Sequence, residues 1–231
     1  QIDQLSGSRF ILGMGAGWNV PEHQAFGLPF PALKERMDRL EEGVQVVQAL
    51  WRDEPATFDG VHYQLDEALC YPKPVQSPLP LLIGGRGERR TLRIVAQYAQ
   101  EWNIVGVDMT EYQRLTEVLA NHCADVGRDP ATIRHTQMSA PIIGRDEKEL
   151  HAHFARIVEK IPSLGERPVE EMLPAMAKRG WLVGSPAQIV DELGRREEAG
   201  ITRTMLQHHA NDDFETLELI ASEVLPQIQR S

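Results

Sequence analysis

The sequence predicts an α/β fold with parallel strands, and three observations carry the prediction. Apolar, strand-like runs alternate with helical stretches from Leu79 onward, and two of the runs end in glycine clusters. The 231 residues suffice for one large α/β domain or two small ones. Alternation of this kind implies right-handed crossovers between parallel neighbours. Five strands are expected, at residues 9–17, 79–83, 101–106, 134–143 and 201–208. That set suits a doubly wound sheet or part of an eight-stranded (β/α) barrel, and periodicity leaves both open. A barrel takes ~250 residues without insertions, so completing one would need roughly a hundred more, upstream of Gln1.

The chain is expected to run almost at once into its first strand, from Arg9 to Gly17, an apolar run that ends in glycines. The following segment, WNVPEHQAFGLPFP, holds Pro21, Pro29 and Pro31 and reads as an irregular loop. A helix follows over about 32–51, where Leu33, Met37, Leu40, Val44, Val47 and Trp51 form one apolar stripe. Its solvated face carries Lys34, Glu35, Asp38, Arg39, Glu41 and Glu42. Between about 55 and 78 the Asp59-Gly60 turn and its flanking aromatics predict a small hairpin, after which prolines hold the chain extended. Helices are then expected at 88–99, 110–127, near 146–160 and at 167–179. Ser185-Pro186 supplies an N-cap and a first-turn proline for another helix, which Gly200 closes. The last helix runs from Asp212 to Gln229.

Composition narrows the function. Acidic residues outnumber basic ones 34 to 24, for a net charge of −10, which opposes the basic face a nucleic-acid backbone needs. Apolar residues at 42% and charged residues at 25% describe an ordinary globular chain. Cys70 and Cys123 form no CxxC pair, so they give neither a disulfide framework nor a zinc motif and suit a reducing, cytoplasmic setting. No apolar run approaches the ~20 residues of a membrane span.

The strongest local chemistry lies at Ile83-Gly84-Gly85-Arg86-Gly87-Glu88-Arg89-Arg90. A strand ends in three glycines within four residues and a helix begins at once, which lets backbone N–H groups and the positive helix end approach a phosphate. Arg86, Arg89, Arg90 and Arg93 against Glu88 concentrate positive charge there. The competing reading is a tight turn with arginines in water. Gly13-Met14-Gly15-Ala16-Gly17 is a second cluster, without dinucleotide-fingerprint spacing. It fits a flat ring lying against backbone, or close strand packing.

His23 beside Glu22 reads as a surface pair or a proton shuttle, and His208 and His209 as residues on opposite faces of a strand end. His151 and His153, two apart on a helix, cannot share a face and are expected to be solvated. Trp51, Trp102 and Trp181 read as packing residues, while Trp18 directly follows the glycines. No metal ligand set and no catalytic acid or base is identified.

Taken together, several segments resemble the bacterial luciferase-like monooxygenase family, within it the branch of oxidoreductases dependent on the deazaflavin coenzyme F420. The segments are Gly7-Ser8-Arg9-Phe10-Ile11-Leu12-Gly13-Met14-Gly15-Ala16-Gly17-Trp18-Asn19, then Leu82-Ile83-Gly84-Gly85-Arg86-Gly87, Leu182-Val183-Gly184-Ser185-Pro186-Ala187 and Ala199-Gly200-Ile201. The resemblance implies a TIM (β/α)8 barrel whose first three strands are missing from this chain, residues 1–231 forming a single domain. It implies F420, or alternatively FMN, with Gly84, Gly85, Arg86 and Gly87 cradling the phosphate and Gly15, Ala16 and Gly17 beside the ring system. With F420 the expected reaction is hydride transfer to or from a small organic substrate. The alternatives are an FMNH2- and O2-dependent monooxygenase or a non-catalytic flavin-binding protein. A homodimer is implied as well, with neither nucleic acid nor membrane as partner. Two departures stand out: Gln100-Glu101-Trp102-Asn103 replaces the family's Asp-Gly-Trp-Asn turn, and Trp18 stands where the sugar-phosphate branch carries a glutamate.

Overall fold

The computed structural model describes residues 1–228, so the final residue of the expected last helix, Gln229, lies outside the described residues. The chain forms two compact units. One comprises Gln1–Trp102 and Val118–Ile133, the other Asn103–Glu117 and the chain from Arg134 onward.

The first unit opens with a short helix α1 (Ile2–Leu5), ahead of the expected first strand. Asp3 is buried there, and its carboxylate accepts from the amides of Val75 and Gln76 and from the Gln76 side chain. Strand β1 (Leu12–Met14) is shorter than expected. The expected loop after it contains a helix, α2 (Val20–Ala25), because the Asn19 side chain accepts from the Glu22 amide and Pro21 sits in the first turn, where its missing N–H costs nothing. Helix α3 (Leu33–Arg52) buries Met37, Leu40, Val44 and Ala49, while Leu33, at the head of the expected stripe, stays exposed.

The hairpin of β2 (Ala56–Asp59) and β3 (Gln64–Ala68) is antiparallel as the Asp-Gly turn predicts. Its turn is held from outside, since the Glu42 carboxylate accepts from the amides of Val61, His62 and Tyr63. Strand β4 (Leu81–Gly84) pairs parallel with β1, aligning Leu12, Gly13 and Met14 with Leu81, Leu82 and Ile83. Helix α4 (Thr91–Tyr98) buries Leu92, Ile94, Val95 and Ala96. Strand β5 (Glu101–Val105) and helix α5 (Met109–Asp125) each contribute residues to both units.

In the second unit the expected strand 134–143 divides at Ala140 into β6 (Arg134–Ser139) and β7 (Pro141–Ile143). The division serves two pairings. β7 pairs parallel with β8 (Leu182–Gly184), a strand too short to show any alternation in the sequence, and β6 pairs parallel with β9 (Ile201–Leu206). Helices α6 (Glu147–Lys160) and α7 (Val169–Lys178) pack on Ile142 through Phe154, Ile157, Met172, Leu173 and Met176. Helix α8 (Pro186–Glu198) starts where Ser185 and Pro186 predict, in a full capping box with Gln188. The chain ends in α9 (Phe214–Leu219), a π-turn at Ile220–Val224 and α10 (Leu225–Ile228). No described helix is long and apolar enough to cross a membrane.

Candidate functional site

The pairing of β1 with β4 brings the two glycine clusters together. With Met14 beside Ile83, the next residues along both strands are Gly15 and Gly84, and a Cβ built on Gly15 would lie 3.7 Å from the Gly84 carbonyl oxygen. A Cβ on Gly84 would meet nothing within 4 Å. Two parallel strands therefore end side by side in bare main chain, and the space a side chain would take is open.

The turn from β4 into α4 needs its glycines for a different reason. Gly85 adopts φ +130°, a conformation that L side chains rarely take. A Cβ on Gly87 would stand 2.7 Å from Thr91 Oγ1. The turn is also tied down. Trp102, fully buried, donates its indole N–H to the Gly85 carbonyl at 2.8 Å, and His122 Nε2 donates to the Glu88 carbonyl at 2.7 Å. At the other end of α4, Arg128 donates to the carbonyls of Val95, Ala96 and Ala99, where a guanidinium complements the negative helix end. The N-terminus of α4, by contrast, has no side-chain cap. An uncapped helix start behind a glycine turn is suited to an anion.

Of the four arginines counted there, two are committed elsewhere, which corrects the local charge inferred from the sequence. Arg90 pairs with Asp38 and with Glu41 (2.9 Å), and Arg93 pairs with Glu41. These contacts hold Asp38 below the usual carboxylate range, through its hydrogen bonds to Lys34 and Arg90. Arg86 and Arg89 are exposed along the turn.

On the β1 side, Ala16 and Gly17 are fixed by a residue that helical periodicity did not single out. Arg36 of α3 donates to the carbonyls of Ala16, Gly17 and Pro31, and its guanidinium lies over the Phe30 ring at 4.0 Å. His23 closes the same corner. Its Cε1 would be 3.3 Å from a Cβ on Gly17, its Nδ1 is 2.8 Å from the Asn19 carbonyl oxygen, and its ring meets Phe30 edge-on. Trp18, next along, is 83% exposed. Gly15, Ala16, Gly17, Gly84, Gly85, Arg86 and Gly87 thus fall in one unit, around the ends of one strand pair.

His153, His208 and His209 belong to the second unit. His208 Nε2 contacts the Asp213 carbonyl oxygen at 3.0 Å, and His209 stacks on Trp181. His153 corrects the expectation of a solvated residue: it is 3% exposed, with Nδ1 2.7 Å from the Ile143 carbonyl oxygen. Its burial depends on partners remote in sequence, which local spacing does not register.

The model of the luciferase-like monooxygenase family matches residues 1–203, and the chain belongs to that family. The F420-dependent glucose-6-phosphate dehydrogenase of Kineococcus radiotolerans is 28% identical over 245 residues, covering 96% of this chain and 69% of that protein. The FMNH2-dependent dimethylsulfone monooxygenase of Pseudomonas putida is 28% identical over 167 residues, covering 69% of this chain and 43% of that protein. Among solved structures, an F420-dependent secondary alcohol dehydrogenase in complex with an F420–acetone adduct superposes with a TM-score of 0.77. The identity there is 24%, over 98% of this chain and 72% of that one. The fold is accordingly that of the luciferase-like α/β barrels.

Proposed function

We propose that this oxidoreductase holds coenzyme F420 against the ends of β1 and β4 and uses it for hydride transfer to or from a small organic substrate. The observation that carries the reading is the open main-chain cradle where Gly15 meets Gly84, directly before the uncapped start of α4. The F420-dependent relatives support the choice of coenzyme. When bound, F420 supplies a ring carbon that accepts or releases a hydride, and the protein's tasks are to grip, orient and shield.

The amides of the Gly84–Gly87 turn and the first turn of α4 hold the phosphate, with Arg86 adding charge at the exposed edge. Gly15, Ala16 and Gly17 offer a flat backbone surface for the ring system. Arg36 keeps that surface in place by holding two of its carbonyls. Trp102 does the same for the phosphate turn. The residues present therefore fit a coenzyme that carries both a phosphate and a flat fused ring.

FMN has the same two parts, and the FMNH2-dependent relative supports it as the alternative, with monooxygenation or flavin storage as the outcome. We further read the whole chain as one barrel domain, in keeping with a family match that runs through both units, and expect a homodimer.

Separate fluorescence titrations with F420 and FMN test the reading. Saturable F420 binding is expected, weakened about a hundredfold in Gly84→Asp, the scale of ~3 kcal/mol for an uncompensated charge at a binding site. Because Gly84 has open space and an ordinary φ, the variant should melt as the parent does. FMN binding without F420 binding would transfer the assignment to the alternative, and oxygen uptake would then separate monooxygenase from flavin store. Binding of neither, or undiminished binding by Gly84→Asp, would overturn the cradle.

A further inference from the structure

In the second unit, away from any residue assigned above, three potential metal ligands converge. They are His153 on α6, Asp213 at the N-cap of α9 and Glu215 in its first turn, with one ligand atom of each lying within 4.8 Å of the others. Ligands on one zinc ion at ~2.0–2.2 Å stand roughly 3.5 Å apart, so modest side-chain rotation closes the difference. Glu215, 67% exposed, has the freedom to make it.

His153 is prepared for such a role. Its Nδ1 faces the Ile143 carbonyl, which can only accept, so Nδ1 carries the proton and Nε2 presents its lone pair. Among the described residues that nitrogen has no hydrogen-bond partner, and the Glu215 carboxylate oxygen is 4.0 Å away. Yet the residue is only 3% exposed and borders a cleft of about 750 Å³ that opens to solvent. A ring nitrogen anchored on a backbone carbonyl, with the other nitrogen bare, is the arrangement that orients histidines towards metals. The Asp213 carboxylate is likewise oriented, by the Thr216 hydroxyl at 2.8 Å and the Thr216 amide.

Charge favours a cation here. Asp213 and Glu215 share one guanidinium, that of Arg156, which leaves one negative charge over. Glu218 adds another on the cleft wall, and Arg145 is divided between Glu149 and Glu223.

We propose that His153, Asp213 and Glu215 form a binding site for a divalent transition metal, zinc foremost, which displaces the Arg156 guanidinium and ties α6 to α9. One imidazole with two carboxylates selects borderline transition metals over magnesium. Three protein ligands leave a fourth position on the cleft side for water. Arg156 is 39% exposed and is free to turn outward once the metal has taken over its carboxylates.

Calorimetric titration of tag-free, chelator-treated protein with zinc chloride and, separately, magnesium chloride is the test. One zinc per chain is expected and no magnesium. Glu215→Gln, at an exposed position that leaves the fold intact, should weaken zinc by about tenfold or more, as should His153→Gln. Arg156→Gln should bind zinc more tightly by removing its competitor. Cobalt(II) in place of zinc should give visible absorption bands that Glu215→Gln alters. The absence of stoichiometric zinc binding, or equal affinity in wild type, Glu215→Gln and His153→Gln, would overturn the proposal. The reading of the glycine cradle is untouched by either result.

Discussion

Arg36 grips three backbone carbonyls and rests on an aromatic face, so its planar fork matters as much as its charge. Arg36→Lys keeps the charge and loses the fork. It is expected to weaken coenzyme binding about tenfold, and Arg36→Ala at least as much, because the Ala16–Gly17 loop loses its anchor. The same fluorescence titration reads both, and parent-like affinity in Arg36→Lys would show that the fork is dispensable. Gly85 illustrates the opposite case. Its φ of +130° makes Gly85→Asp strained before any ligand arrives, and a Cβ would also press on Thr91 at 3.2 Å. Loss of binding in that variant would confound strain with charge, which is why Gly84 is the cleaner probe.

At the scale of elements, α4 is secured at both ends by residues from elsewhere. Trp102→Phe removes the donor to the Gly85 carbonyl while keeping most of the ring, and should lower stability by ~1–3 kcal/mol in chemical denaturation. A larger effect on coenzyme affinity than on stability would place the turn, more than the core, under that indole. Ser185→Ala removes the capping box of α8 and should cost ~1 kcal/mol.

Much of this layer is readable from local chemistry. The α8 start follows from Ser-Pro, the hairpin from Asp-Gly, and the two bare strand ends from their glycines. What stays hidden has physical causes. β8 is three residues long, so it offers no period, and the division of β6 from β7 reflects two different pairing partners. α2 depends on an asparagine cap amid prolines that read as loop. Arg36 and His153 are defined by what they touch across the fold, and no spacing rule reaches those partners.

For the whole molecule, pH dependence follows from histidines kept neutral. Burial lowers the pKa of His135, which sits 2.7 Å from the Tyr112 hydroxyl, and burial with the neighbouring His208 lowers that of His209. The unfolded chain therefore takes up protons near the ordinary value of 6.5, before the folded chain does. Their contribution is fully present above that pH and is lost as pH falls towards the folded values. Thermal melts should accordingly show the midpoint decreasing from pH 7.5 to 5.5, and His135→Gln should flatten the slope. A midpoint that rises on acidification would contradict the assignment.

The meeting of Gly15 with Gly84 also bears on how such a protein can change over generations. On the proposed function, a grip made of peptide groups has no side chain of its own to lose, and what substitution can reach is its supports, Arg36 and Trp102. Trp18, directly after Gly17, is exposed beside it. With the proposed coenzyme bound there, coenzyme grip and substrate choice would rest on separate sets of positions, and a new substrate could be acquired without renegotiating the old coenzyme.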